Sequence, residues 1–171
     1  RTAGFAAIDQ GAMRESTRAV SIVLMLIGGS SGSTAGGLKT VTVAVLLLAS
    51  VASARGQSHV RVFKRSISDR QVRDAMSITV IMLILCFTGA VVLVADSGLS
   101  FLNSLYETAS ALATVGLTAN VTPLLHLPSK LIIIAFMYFG RVGILTISLG
   151  FLMGDRAVER FRYAETKLLI G

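Results

Sequence analysis

"GGSSGSTAGGLKT", residues 28–40, nearly spells a phosphate-binding loop. From Gly32 it runs G-x-x-x-x-G, but Leu38 stands where such a loop needs its lysine, and Lys39 and Thr40 follow one place late. The lysine of a nucleotide loop directly follows the second glycine, so that its ammonium reaches the phosphates held by the backbone N–H groups. The surroundings of the stretch give it another reading. It lies in the middle of Ala19 to Ala54, 36 residues whose one charge is Lys39. As a single helix these would reach about 54 Å, too long for a hydrocarbon core of about 30 Å. The run therefore reads as one membrane element broken in its middle: helix over 18–28, irregular loop over 29–38, helix again over 39–54. Non-helical backbone at that depth is tolerated only where protein buries it or it lines a watery cavity. No nucleotide is expected to bind this chain.

Composition supports the membrane setting. Hydrophobic residues make up 53% of the 171 and charged ones 15%, against about 25% charged in soluble domains. The net charge of +7 comes from basic blocks between apolar runs, which is how membrane proteins carry it. A nucleic-acid binder would instead show a polar, Lys/Arg-rich face, so no nucleic-acid partner is expected. Cys86 is the single cysteine and sits inside an apolar run, while His59 and His126 lie far apart. Neither a disulfide nor a transition-metal site follows from that inventory. With no nucleophile or acid–base constellation, the chain does not read as an enzyme. It opens at Arg1 without the pattern of a signal peptide, and that start reads as a truncation point.

Along the chain, 21 uncharged residues between Asp74 and Asp96 predict a spanning helix over 75–95. A second span is predicted over 130–154, opened by Lys130 and apolar from Leu131 to Gly154 except for Arg141 near its centre. The linker 55–74 holds six Lys/Arg against two Asp, and the tail 155–171 is basic as well. By the positive-inside rule both are cytoplasmic and 96–130 is outside, giving a multi-pass protein of the cell membrane. Within 96–130, an apolar-periodic stretch over 101–113 is too short to span and suits a re-entrant helix.

Directly after it comes Thr114-Val115-Gly116-Leu117, which has an echo in Thr2-Ala3-Gly4-Phe5. Sixteen residues after Thr2 comes Arg18, and sixteen after Thr114 comes Lys130, each opening an apolar helix. One such tetrad arises easily by chance; two at the same spacing describe a repeat. A cation gives up its water only if backbone carbonyls replace it, as the T-V-G-Y-G loops of potassium channels do. Glycine lets successive carbonyls turn to one axis, and a short helix aims its negative C-terminal end at the ion. Glu107, a little over one turn before the second tetrad, reads equally as a cation attractor or brace and as an ordinary hydrogen-bonded helix residue. Asp9 and Asp96 read as interfacial caps.

The paired helix–pore–helix units, the loop "GSSGSTAGGLKT" after one tetrad, "GRVGILT" after the next, and the tail "RYAETKLLIG" resemble the Trk/Ktr/HKT superfamily of cation uptake proteins, its KtrB branch most closely. The resemblance implies an all-α integral membrane protein with channel-like repeats and one broken membrane helix. Residues 1–54 would hold the third filter and its broken helix, and 75–154 the complete fourth repeat, with pore helix 101–113 and filter 114–117. It implies the ion-translocating subunit of a potassium uptake system, K+ passing the carbonyls of Thr2, Ala3, Gly4, Phe5, Thr114, Val115, Gly116 and Leu117. A gate of Ser31, Gly32, Ser33, Thr34, Gly36, Gly37 and Lys39, with Arg141 beside it, would lie beneath. It further implies contact with membrane lipid, a homodimer, and a separate cytoplasmic nucleotide-binding regulatory subunit. Potassium against sodium stays open, as does a different secondary transporter with its substrate at the broken helix.

Overall fold

The computed structural model describes residues 3–30, 32–33, 35–57, 60–62 and 65–142. Among the described residues, five helices follow one another: α1 (Glu15–Leu26), α2 (Thr40–Ala54), α3 (Asp69–Ser97), α4 (Phe101–Leu112) and α5 (Leu127–Val142). A short 3-10 turn, Thr122–Leu124, precedes α5. The remaining 143–154 of the expected last span and the tail 155–171 lie outside the described residues.

The central element is the shortest kind. Eight of the 12 residues of α4 are buried, because α1, α3 and α5 all pack against it. Tyr106 and Leu112 of α4, Met25 of α1, and Met82 and Leu93 of α3 are fully enclosed there. At 1.5 Å per residue α4 is about 18 Å long, so its end falls well inside the fold.

The long helix α3 is apolar on both sides. Met82, Cys86, Ala90 and Leu93 face the core, while Val80, Ile84, Phe87 and Val91 are exposed on the other side. In water an exposed stripe of that kind is costly, whereas a helix apolar all round suits a bilayer. Among the described residues, α3 is the one helix long and apolar enough to cross a membrane.

It also outruns the apolar stretch, starting at Asp69 inside the segment expected as linker. The reason is a capping box: Ser68 Oγ accepts from Gln71 N–H while Gln71 Oε1 accepts from Ser68 N–H, both at 3.4 Å. Such reciprocal bonds fix a helix start.

The linker departs from an all-α expectation in one place. Strands β1 (Arg61–Val62) and β2 (Arg65–Ser66) pair antiparallel, Arg61 opposite Ser66, and Ile67 N–H extends the ladder to Val60 O at 2.9 Å. The β-branched Val60, Val62 and Ile67 favour extended chain.

Candidate functional site

Where α4 stops, the chain turns sharply into Thr114–Leu117. Thr114 N–H bonds Ala111 O at 3.1 Å and Val115 N–H bonds Ser110 O at 2.9 Å. These two crossed bonds, around a residue in left-handed conformation, make a Schellman turn. The left-handed residue is Thr114, at φ +53°. Glycine normally takes that place, and a β-branched residue there is a strained outlier.

Two neighbours grip Thr114. On one side its Oγ1 accepts a hydrogen bond from Gly36 N–H at 2.8 Å. On the other, a Cβ added to Gly140 would lie 3.1 Å from Thr114 Cγ2 and only 2.2 Å from Leu112 O. Gly36 is as closely fitted, since its Cβ would meet Thr114 Oγ1 at 2.7 Å. The absence of side chains at 36 and 140 is what lets the backbone of the Gly/Ser-rich stretch and α5 close on this threonine.

That Gly/Ser-rich stretch leaves helix at Leu26 and rejoins it at Thr40. Its neck is closed by backbone bonds: Leu38 N–H to Leu26 O (2.9 Å), Gly28 N–H to Leu38 O (2.7 Å) and Thr40 N–H to Gly29 O (3.1 Å). Lys39 turns its ammonium back into the loop, donating to Ser33 O at 2.9 Å and Ala35 O at 2.6 Å. A nucleotide loop points its lysine outward at phosphate; this one spends the charge on carbonyls that lost their helical partners.

The tetrad near the start of the chain lies against the second one. A Cβ on Gly4 would sit 2.3 Å from Val115 O, and one on Gly116 would sit 3.6 Å from Gly4 Cα. Both glycines have positive φ, +68° and +87°, so the two turns share the conformation that only glycine adopts freely. Ala3, Gly4 and Phe5 are exposed, whereas Val115 is buried. A cleft of about 340 Å³ opens beside the pair, lined by Gly4, Asp9 and Gln10 on one side and Gly116, Thr118 and Asn120 on the other.

Glu107 points into the segment that follows the second tetrad. Its Oε1 accepts from Thr118 Oγ1 and, at 3.0 Å, from Ala119 N–H; its Oε2 accepts from Thr122 Oγ1 at 3.1 Å. Next to it, Tyr106 Oη donates to Gln10 Oε1 at 2.9 Å. Asp9 Oδ1 accepts from Gly11 N–H and from Asn120 Nδ2. Asp96 Oδ2 accepts from Ser129 Oγ and so joins the end of α3 to the start of α5.

Of the residues singled out in the sequence, the fold thus brings Gly36, Thr114, Val115, Gly116 and Gly4 to one place, with Ser33 and Lys39 in the loop behind Gly36. Gly32 and Gly37 both take positive φ in that loop. Leu117 lines the cleft, and Arg141 lies in the last described turn of α5, next to Gly140. Thr2, Ser31 and Thr34 lie outside the described residues. Thr118, Asn120 and Thr122 were not singled out; their one sequence signal was polarity directly after a tetrad. Among the described residues no three His, Cys, Asp or Glu side chains gather as a metal site would need.

The family model TrkH, described as a cation transport protein, matches residues 1–159. Over its whole length the chain is 39% identical to the potassium/sodium uptake protein NtpJ of Enterococcus hirae. It is 38% identical to the Ktr system potassium uptake protein B of Bacillus subtilis and 37% to the protein of that name in Vibrio alginolyticus. The chain spans 39%, 38% and 37% of the length of these three relatives.

Proposed function

The chain belongs to the TrkH family of cation transport proteins, on its Ktr-like branch, and from that premise we propose that it is the C-terminal part of an ion-translocating subunit for potassium uptake. In this reading Thr2–Phe5 and Thr114–Leu117 are two of four filter segments, and their backbone carbonyls replace the water of a passing K+. Residues 1–54 are the third filter with its broken membrane helix, 55–74 a basic cytoplasmic linker, 75–154 the fourth repeat and 155–171 a cytoplasmic tail. The complete subunit is a multi-pass protein of the cell membrane and pairs as a homodimer. A separate cytoplasmic nucleotide-binding subunit docks on the linker and tail, so nucleotide acts through that partner.

The observation that carries the reading is the convergence at Thr114. Two left-handed glycine turns abut there, a helix C-terminus points at them, and the Gly/Ser-rich loop docks on the threonine by Gly36 N–H. A loop seated directly against a filter is placed to block it. Ser31 to Gly37 form the barrier, Lys39 keeps it folded, and Arg141 adds a positive charge on the helix that carries Gly140. A charge within a membrane helix is costly, about 2.5–3.5 kcal/mol on insertion scales, which argues for a role beyond packing.

The test is ion flux through the complete protein in liposomes, comparing potassium, rubidium, sodium and an amino-acid panel. Flux of the alkali cations alone is expected. Arg141→Ala, or a deletion within 31–36, is expected to raise it several-fold by loosening the barrier; wild-type flux in both variants, at normal protein levels, defeats the gate. The name of the Enterococcus relative, potassium/sodium uptake protein, supports sodium as a second passing ion, and the same assay reads it.

A further inference from the structure

The carboxylate of Glu107 has an unusual setting. The residue is 5% exposed, and a buried carboxylate is tolerated only when donors satisfy it. Three do, and all three come from the five residues after Leu117: Thr118 Oγ1, Ala119 N–H and Thr122 Oγ1. The two hydroxyls also contact each other at 2.9 Å. All of these bonds are made to the chain itself. The carboxylate is a fastening point inside the protein.

What it fastens continues outward. Thr118 Oγ1 accepts from Asn120 N–H at 3.1 Å. Asn120 is left-handed, φ +63°, and that turn carries its side-chain amide to Asp9 Oδ1 at 2.6 Å. Asp9 Oδ1 in turn holds Gly11 N–H at 2.8 Å. An unbroken polar chain therefore runs from the centre of α4 to the segment that follows the other tetrad, along the wall of the cleft between them. The inner bonds are made on a buried carboxylate, where hydrogen bonds strengthen one another; the outer ones, at Asn120 and Asp9, are exposed, and together they tie the two segments.

We infer that Glu107 is a positioning residue for ion discrimination: through Thr118, Ala119 and Asn120 it sets how far Gly116 stands from Gly4. The inference rests on the reading of the two tetrads as filter segments. Discrimination between cations then depends on a side chain that touches no ion.

The experiment uses the complete protein in liposomes and reads the ratio of potassium to sodium uptake. Glu107→Gln replaces one acceptor oxygen by a donor, weakening the fastening without changing its size. Asn120→Gly keeps the left-handed backbone and removes only the amide that reaches Asp9. Each is expected to move the ratio toward one by about fivefold, the effect of one hydrogen bond of ordinary net strength. Because the two residues are links of one chain, the double variant should go no further than the worse single. Rubidium should follow potassium throughout, which separates altered discrimination from a general loss of flux.

Wild-type ratios in both single variants, or losses that add in the double, overturn the inference. Should Glu107→Gln fail to reach the membrane, Asn120→Gly decides alone, since it leaves the core untouched. Wild-type protein that passes neither cation would overturn the filter reading itself, a different result from an unchanged ratio.

Discussion

Helices α3 and α4 end in nearly the same backbone conformation, with different residues. At the end of α3, Gly98 has φ +63° and nothing stands near the place a Cβ would occupy. At the end of α4, Thr114 has φ +53° and is gripped by Gly36 and Gly140. Glycine at 98 merely stops a helix, at no steric cost. Threonine at 114 costs about 1–3 kcal/mol of backbone strain, so something else must hold it there. That something is the hydroxyl, which receives the loop. A strained residue here is informative because the simple alternative, glycine, would have served the turn.

The contrast yields a graded set of expectations for the complete protein. The largest effect should follow Gly140→Ala, because the new methyl would overlap a backbone carbonyl, Leu112 O, at 2.2 Å. Overpacking of this sort costs about 1–3 kcal/mol, and a clash with backbone falls at the upper end. A lowered melting temperature in detergent together with lost potassium uptake is the expected outcome.

Thr114→Val comes next. It preserves the shape but leaves Gly36 N–H without its acceptor in a buried place, a loss of about 1–3 kcal/mol. Uptake should become leaky, whereas Thr114→Ser, which keeps the hydroxyl, should transport as wild type does. Equal behaviour of the two would show that the loop does not depend on this bond. The smallest effect belongs to Gly98→Ala, about 1 kcal/mol from the left-handed backbone alone. Thermal stability should drop slightly, with uptake and the potassium-to-sodium ratio unchanged.

Sequence made some of this visible and hid the rest, for physical reasons. The apolar run of α3 and the short amphipathic α4 were plain because hydrophobicity and its period are written residue by residue. The run from Ala19 to Ala54, 36 residues with one charge, was legible as too long for a single membrane helix. The capping box is written in Ser68 and Gln71 as S-x-x-Q, inside a segment whose basic charge reads first as a linker. Three other features had no local signature. Glu107 finds its donors 11, 12 and 15 residues away, at a distance no helical period announces. Gly36 meets Thr114 across 78 residues. The strain at Thr114 was hidden because a T-V-G-L tetrad does not state its dihedral angles. Lys39 stands one place late for a phosphate loop, but its inward turn onto Ser33 and Ala35 depends on the loop's path.

The bonds of the loop also have an order of birth. Those that close its neck and the two made by Lys39 join residues no more than 12 apart, so they can form as soon as Thr40 has left the ribosome. The bond to Thr114 waits for 74 more residues, several seconds at roughly 5–20 residues per second. Through that interval the stretch must exist without Thr114 to lean on. It is equipped to do so, because its lysine already donates to its own carbonyls and its ends are already tied. On the reading proposed above, the barrier would then be finished before the passage it bars, and an unfinished subunit would not leak while it is being made.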